Sequence, residues 1–199
     1  MQKQFHSRRN RVFSDQTELG RCVIKKFSEE ASFQTELQVY KALENSTVPC
    51  ARVLKQQPGT LVLSCLPGEN LVQWLEQQEQ TGVADWDIWE KLVCWLIEFW
   101  RHTGFVMTDV NLRNFLYDGP TKTLYGLDFE QCAQGSIDVC AATLAAFICS
   151  YRPEQTPLKQ QIARYVLERF SALCQLDMSA LQQETKKQAQ IISQRRNNP

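Results

Sequence analysis

The sequence predicts an α+β fold of two lobes, in which a small antiparallel sheet with one helix is followed by a reduced and mainly helical lobe. Strand-like runs of β-branched and apolar residues, bounded by turn-forming residues, occur up to residue 27 and again from residue 48 to 66. One segment with helical spacing separates them, and almost every periodic segment after residue 71 is helical. We therefore expect a five-stranded sheet lobe over residues 1–65 and a helical lobe over residues 66–199.

The composition narrows the class of protein. Its 22 basic residues balance 22 acidic ones, so there is no net charge to attract nucleic acid or an anionic membrane. The eight cysteines include no Cys-x-x-Cys pair and only two histidines accompany them, which favours reduced thiols over a zinc site. No run is long enough to span a bilayer, and the N-terminus lacks an apolar signal region. We expect a cytoplasmic protein of unknown oligomeric state.

The first strands are expected at Phe5, at Val12–Phe13 and, after a polar turn over Ser14–Gly20, at Cys22–Phe27. The loop from Ser7 to Arg11 contains serine, asparagine and three arginines but no glycine. Such a loop fits a solvated basic turn as well as it fits direct phosphate contacts by the arginines.

Two adjacent lysines, Lys25 and Lys26, lie in the third strand. Because side chains alternate between the faces of a strand, Lys25 shares its face with Val23 and Lys26 lies on the other. A bulge would exchange the two faces, so Lys26 is the alternative to Lys25 as a functional lysine.

The spacing becomes helical after Phe27. Ser28 followed by two glutamates is typical of a helix N-terminus. The apolar stripe of this helix consists of Phe33, Leu37, Tyr40 and Leu43. Glu36 lies beside the stripe, where it is an ordinary surface glutamate unless it has a specific partner.

Two further strands are expected at Val48–Leu54 and Thr60–Leu66, joined by a turn at Gln56–Gly59. The second of these ends in Leu-Pro-Gly, which terminates a strand because proline cannot donate to the ladder.

Five helices are expected in the second lobe. The aromatic density of the second and the near absence of charge in the third indicate burial on several sides. Polar residues from Ser193 onward are expected to fray. The helices are predicted at Leu71–Gln80, Trp86–His102, Val139–Tyr151, Thr156–Cys174 and Met178–Ser193.

The most informative stretch runs from Phe105 to Gln131. Asp109 is followed five residues later by Asn114 and, after a turn at Gly119–Pro120, by Asp128 inside an apolar strand. Kinase-type phosphotransferases place a base and two magnesium ligands at one γ-phosphate with this spacing. The base must meet the acceptor hydroxyl, while the metal ligands neutralise charge on the phosphates.

This stretch resembles the catalytic and metal-binding loops of the protein-kinase-like superfamily, most of all its aminoglycoside and choline kinase branch. The resemblance covers residues 7 to about 151, because six features follow the order found in that family. It implies a two-lobed kinase-like fold that uses ATP and Mg²⁺. The six features are Lys25, Glu36, the Leu-Pro-Gly segment, Asp109 with Asn114, Asp-Phe-Glu from residue 128, and Asp138.

The resemblance implies a role for each residue around the phosphates. Lys25, held by Glu36, would bind the α- and β-phosphates of ATP. Asp109 would be the catalytic base, and Asn114 and Asp128 would bind magnesium.

The same resemblance implies further ATP contacts. Ser7 and Asn10 would belong to a glycine-free loop that covers the nucleotide. Adenine would bind near Ser64 and Leu66, beneath Leu63 as the gatekeeper residue.

Departures from the protein-kinase pattern argue against a regulated protein kinase. Met107 and Thr108 stand where protein kinases have His-Arg before the catalytic aspartate. Only nine residues separate Asp128 from Asp138, too few for an activation loop and a peptide-docking platform. Asp138 would either hold the backbone of the catalytic loop or serve as a plain helix N-cap.

Three functions follow from these observations. The first is an ATP- and magnesium-dependent phosphotransferase that acts on an unidentified, small hydroxyl-bearing acceptor. The second is a compact kinase or ATPase that serves RNA metabolism, with Lys186, Lys187, Arg195 and Arg196 as a basic tail. The third is a pseudokinase that binds nucleotide or a partner without turnover.

Overall fold

The computed structural model describes residues 3–5, 9–18 and 20–197, which form an α+β fold. Its main sheet consists of β1 (Lys3–Phe5), β2 (Arg11–Thr17), β3 (Gly20–Lys26), β4 (Val53–Gln57) and β5 (Thr60–Ser64). The five strands are antiparallel and lie in the order β1-β2-β3-β5-β4. The predicted antiparallel sheet of five strands is confirmed.

Strand β2 is longer than predicted. The polar residues from Ser14, for which the sequence predicts a turn, continue the strand as far as Thr17. Ser14 pairs with Val23 and Asp15 with Cys22 across the ladder to β3. Pairing of the backbone groups holds these residues in the sheet although their side chains are polar, because the ladder hydrogen bonds do not depend on the side chain.

The first helix, α1 (Glu30–Leu43), begins one residue later than predicted. Its N-cap is Glu29, which makes no side-chain cap bond. The predicted cap at Ser28 is wrong, because α1 begins at Glu30 and Ser28 lies one residue before its N-cap. The Ser28 N–H instead donates to Asn10 Oδ1, in the loop before β2, at 3.1 Å. The predicted apolar stripe of α1 is buried.

The rest of the chain is mainly helical, with α2 (Leu71–Thr81), α3 (Trp86–Thr103), α4 (Ile137–Ser150), α5 (Pro157–Cys174) and α6 (Met178–Asn197). Short strands lie between the helices: β6 (Glu69–Asn70), β7 (Phe105–Met107), β8 (Phe115–Asp118), β9 (Thr123–Gly126) and β10 (Cys132–Gln134). Strands β6, β8 and β9 form one small sheet, and β7 pairs with β10. No helix among the described residues is both long and apolar enough to cross a membrane. The lobe boundary at residues 65 and 66 stays a prediction.

Helix α6 continues to Asn197, past the point at which we predict fraying. Arg196 Nη1 donates to the Ser150 carbonyl at 2.5 Å and lies 3.5 Å from Glu154 Oε1. These contacts tether the last turn of α6 to the end of α4, so polar residues that would fray in isolation stay helical.

An aromatic core connects the helical part of the chain to α1. Trp95 and Phe99 of α3 stack at 5.1 Å between ring centroids, and Phe129 lies 5.4 Å from Phe99. Gly126 is required beside this stack, because a Cβ atom at that position would lie 2.3 Å from the Trp95 ring. The chain therefore reaches residue 128 along a path fixed by α3.

Candidate functional site

A buried ion cluster forms where β3, α1 and the loop after β9 meet. Lys25 is only 5% exposed, and its Nζ lies 2.5 Å from Glu36 Oε2. The same nitrogen lies 2.5 Å from Asp128 Oδ1 and 3.2 Å from Glu130 Oε2. We call these four residues the Lys25 cluster. It joins positions up to 105 residues apart, counted from 25 to 130.

The strand register explains why Lys25 and not Lys26 belongs to this cluster. Strand β3 pairs with β2 and β5 without a register shift, so no bulge exchanges the two faces. Lys26 is exposed, and its Nζ lies 5.7 Å from the centroid of the Phe13 ring. The alternative that assigns Lys26 to the contact with Glu36 is therefore wrong.

Burial and charge oppose each other within the Lys25 cluster. Burial favours a neutral Lys25, but the surrounding carboxylates outweigh it and raise the pKa of this lysine, Glu36 most and then Asp128 and Glu130. Burial raises the pKa of Glu36 to about 7, and the charge of Lys25 opposes that shift. Lys25 thus keeps its charge at neutral pH, whereas Glu36 titrates near neutrality.

The cluster carries more negative than positive charge. One oxygen each from Glu36, Asp128 and Glu130 lie within 4.8 Å of one another. The second Glu36 oxygen, Oε1, is buried and has no hydrogen-bond partner among the described residues. Three carboxyl groups surround one ammonium group, and although Glu36 is partly protonated near neutral pH, their oxygens offer ligands for a further cation.

The backbone conformation of Asp128 turns its side chain toward Lys25. Asp128 adopts left-handed dihedrals (φ 61°, ψ 68°), which aspartate tolerates better than most residues. Phe129 is fully buried, with the Tyr40 ring 5.2 Å away between centroids. Because Phe129 anchors the loop, the Asp128 side chain is held at the site while remaining 44% exposed.

The loop after β7 brings Asp109 and Asn114 to the same place. Asn114 Nδ2 donates to the backbone oxygen of Asp109 at 2.9 Å, and the Leu127 N–H donates to the Asn114 carbonyl at 2.8 Å. The amide nitrogen of Asn114 is thereby used, which leaves its side-chain oxygen for a cation. The predicted base and both predicted metal ligands are brought together.

Asp109 is half-buried, and its surroundings raise the pKa of its carboxyl group. Burial and, next, the charge of Asp128 raise its pKa. The Asn114 amide and the charges of Arg195 and Arg9 oppose this shift. A carboxylate whose pKa is raised toward neutrality is a better proton acceptor than an ordinary surface aspartate.

Tyr151, directly after α4, holds the loop that carries Asp109 and Asn114, which is the role that the sequence suggested for Asp138. The Tyr151 hydroxyl donates to Asn111 Oδ1 at 2.6 Å and accepts from the Leu112 N–H at 3.0 Å. Asp138 instead accepts from the neighbouring Val139 N–H at 2.8 Å and makes no hydrogen bond to the loop among the residues described. The predicted N-cap role of Asp138 is also wrong, because Ser136 is the N-cap of α4 and Asp138 lies within the first turn of the helix.

The glycine-free loop approaches the Lys25 cluster through Asn10. Asn10 is buried, its Nδ2 donates to Glu130 Oε2, and its Oδ1 accepts from the Ser28 N–H. Ser7 lies outside the described residues, so its predicted contact with ATP stays a prediction.

The predicted adenine-binding residues lie at and after the end of β5. Leu63 is buried in the core. The Ser64 N–H donates to the Arg52 carbonyl at 2.9 Å, so this amide is already engaged. Leu66 is half-buried in the coil that follows. Their roles toward adenine stay predictions, with the Ser64 N–H unable to serve as a donor unless it leaves Arg52.

Two residues that position the site have no role in the sequence-based hypothesis. Glu130 contacts both Lys25 and Asn10. The sequence signal that could have identified it is the presence of an acidic residue two positions after Asp128. Tyr151 had no such signal, because its partner Asn111 lies forty residues away in the chain.

Comparisons with known proteins show the fold. No protein-family model matches the sequence, and no curated protein matches it significantly. Many solved structures do match. One is WbdD, crystallised with the kinase inhibitor LY294002, at a TM-score of 0.58 and 16% identity over 93% of this chain and 44% of that one. This chain thus shares the fold of the matched part of that structure and spans less than half of its length.

Proposed function

We propose that the chain is an ATP- and magnesium-dependent phosphotransferase of the aminoglycoside and choline kinase type, which acts on a hydroxyl of a small molecule. The observation that carries this proposal is the Lys25 cluster. A structural salt bridge needs one carboxylate, whereas here Glu36, Asp128 and Glu130 share one buried lysine. Such an excess of oxygen ligands beside a fixed positive charge suits phosphates that arrive with a divalent cation.

The chain's own residues would perform the transfer as follows. The bond between the γ-phosphorus and the ADP oxygen breaks while the acceptor oxygen bonds to the same phosphorus, and ADP leaves. Lys25, positioned by Glu36, neutralises charge on the α- and β-phosphates. Asp109 orients the acceptor hydroxyl and takes its proton, a role that suits its raised pKa.

The residues present fit a magnesium ion. Asn114 offers an amide oxygen and Asp128 a partly exposed carboxylate, the hard oxygen ligands that Mg²⁺ prefers. Bound magnesium would supply neutralisation of phosphate charge. Asp128 would exchange its contact with Lys25 for the cation, which frees Lys25 Nζ for phosphate while Glu36 still holds it.

A second candidate is a pseudokinase that binds nucleotide or a partner without turnover. The contacts of Asn10 favour the pseudokinase. Its hydrogen bonds to Glu130 and Ser28 fix the glycine-free loop beside the Lys25 cluster, where the phosphates of ATP would have to enter. No comparable observation favours the role in RNA metabolism. Two charges of its basic tail are paired within the chain, Lys187 with Glu184 and Arg196 with Glu154.

An ATP-consumption assay against pooled metabolites, with and without Mg²⁺, tests the proposal. We expect at least one pool to stimulate consumption, only when Mg²⁺ is present, and Asp109→Asn to abolish the stimulation. Binding of ATP without consumption in any pool would instead support the pseudokinase.

A further inference from the structure

A cavity of about 220 Å³ lies beside the catalytic loop, between β7, α4 and α6. We call it the α6 cavity. It does not include the Lys25 cluster, so it is distinct from the proposed nucleotide site. Its wall contains Met107 and Thr108, the two residues that precede Asp109 in the chain. The wall of the cavity therefore ends one residue before the proposed base, which does not itself line it.

The apolar side of the cavity is open to solvent. Val139 of α4 and Ile191 of α6 both line it, and they are 42% and 36% exposed. They are two of the few large hydrophobic side chains left exposed among the described residues. A ligand with an apolar part would cover them and remove that surface from water.

Arg195 is the charged residue of the cavity wall, which also contains the polar residues Thr108, Thr143 and Gln188. This arginine makes no hydrogen bond or salt bridge with any described residue, whereas its neighbour Arg196 bonds to Ser150 and Glu154. Its charge acts on Asp109, where it opposes the rise in pKa. Arg195 is thus a guanidinium group without a bonded partner that lines a cavity beside the base.

We infer that the α6 cavity binds the acceptor, and that the acceptor is an amphipathic anion. Its hydroxyl would reach Asp109, its carboxylate or phosphate would bond to Arg195, and its apolar part would cover Val139 and Ile191. Guanidinium groups bind both kinds of anion through paired N–H donors. This inference deepens the proposed function and rests on it for the role of Asp109.

Binding of matched probes in the absence of ATP tests the inference. Mandelate carries a hydroxyl, a carboxylate and an apolar ring, and phenylethanediol replaces its carboxylate with a neutral alcohol. Glycerate and glycerol phosphate supply the two anionic groups without an apolar part, and glycerol is their neutral match. By calorimetry we expect each anion to bind more tightly than its neutral match, and mandelate more tightly than glycerate.

Substitutions on α6 and α4 separate the contribution of the Arg195 charge to binding from that of the apolar side chain of Val139. Arg195→Gln should weaken mandelate binding about ten- to a hundredfold, the effect of losing a charge-assisted hydrogen bond. Lys186→Gln is the matched control: it removes the same charge from the same helix at an exposed position outside the cavity, and it should change affinity less than about twofold. Val139→Ser should weaken mandelate but not glycerate.

The outcomes are distinct. Failure of every anion to bind, equal binding of neutral matches, or equal losses in Arg195→Gln and Lys186→Gln would each overturn the inference. Selective anion binding without phosphoryl transfer from ATP would leave the cavity assignment standing and overturn the proposed activity alone.

Discussion

The Tyr151 hydroxyl donates to Asn111 Oδ1 at 2.6 Å and thereby joins the end of α4 to the loop that carries Asp109 and Asn114. The same hydroxyl accepts from the Leu112 N–H, so one oxygen fixes two consecutive residues of the loop. Asn111 is close in the chain to Asp109 and Asn114, whose geometry depends on this loop. Helix α4 thus sets the position of the proposed base without touching it.

Tyr151→Phe should therefore lower kcat while leaving nucleotide affinity within a few-fold. Loss of the hydroxyl leaves the Leu112 N–H without its partner, which costs about 1–3 kcal/mol of stability. Steady-state kinetics with ATP titration and a melting curve check both expectations. An unchanged kcat in a variant with the expected lower Tm would mean that the loop keeps its geometry without this bond.

Lys25→Ala should weaken nucleotide binding far more than Lys26→Ala. Lys25 also balances buried carboxylates, so its removal should lower the free energy of unfolding by about 3 kcal/mol. Lys26 is exposed, and its removal should change stability by less than about 0.5 kcal/mol. Calorimetric titration with ATP and denaturant unfolding measure the two effects. Equal losses of affinity in the two variants would remove Lys25 from the phosphate site.

Stabilisation by ATP should depend on magnesium in the wild type. A ligand raises the Tm in proportion to its binding to the native state, and Asn114 and Asp128 are proposed to bind the metal that accompanies the nucleotide. Asp128→Ala should abolish the difference between ATP with Mg²⁺ and ATP with EDTA in a thermal-shift assay. If ATP raised the Tm of the wild type equally with and without Mg²⁺, the result would contradict the metal assignment and favour the pseudokinase.

Asp109→Asn should lower kcat by about 10²- to 10⁴-fold, the usual contribution of a positioned acid–base group. The substitution keeps the shape of the side chain but removes the proton acceptor. Nucleotide affinity should stay within a few-fold, because phosphate binding is proposed to rest on Lys25 and the metal ligands. Turnover equal to that of the wild type would show that Asp109 is not the base.

The raised pKa of Glu36 predicts a pH dependence of stability. Its pKa is about 7 in the folded chain, against the ordinary value of 4.5 that a glutamate has in the unfolded chain. Between these values the native state binds more protons, so the free energy of unfolding should fall as pH rises from about 4.5 to 7, by up to about 3 kcal/mol.

Glu36→Gln does not titrate and should lack this component. Denaturant unfolding with EDTA and without nucleotide, from pH 5 to 8, compares the two proteins. Parallel stability curves over that range would contradict the prediction.

Local patterns predicted the helices and most main strands of this fold, but β4 lies at Val53–Gln57 instead of Val48–Leu54, and Asp128 follows β9 instead of lying inside a strand. Long-range contacts account for most of what the sequence did not show. Lys25 and Glu36 follow from alternation in one strand and periodicity in the next helix, eleven residues apart. The positions of Glu130 and Tyr151 depend on how α1, α3 and α4 pack, which no local pattern encodes. The helical end of α6 likewise depends on Ser150, a tertiary partner that overrides a polar, fraying-prone sequence.

The position of Arg195 couples the end of α6 to the loop that carries Asp109. The loop containing Arg9 and the final turn of α6 lie near opposite ends of the described chain, and the charges of Arg9 and Arg195 both act on Asp109. Helix α6 packs against α4, and Tyr151 directly after α4 holds the loop that carries Asp109. Substitutions that separate α6 from α4 are therefore expected to open the α6 cavity and to disturb the loop that carries the proposed base at the same time.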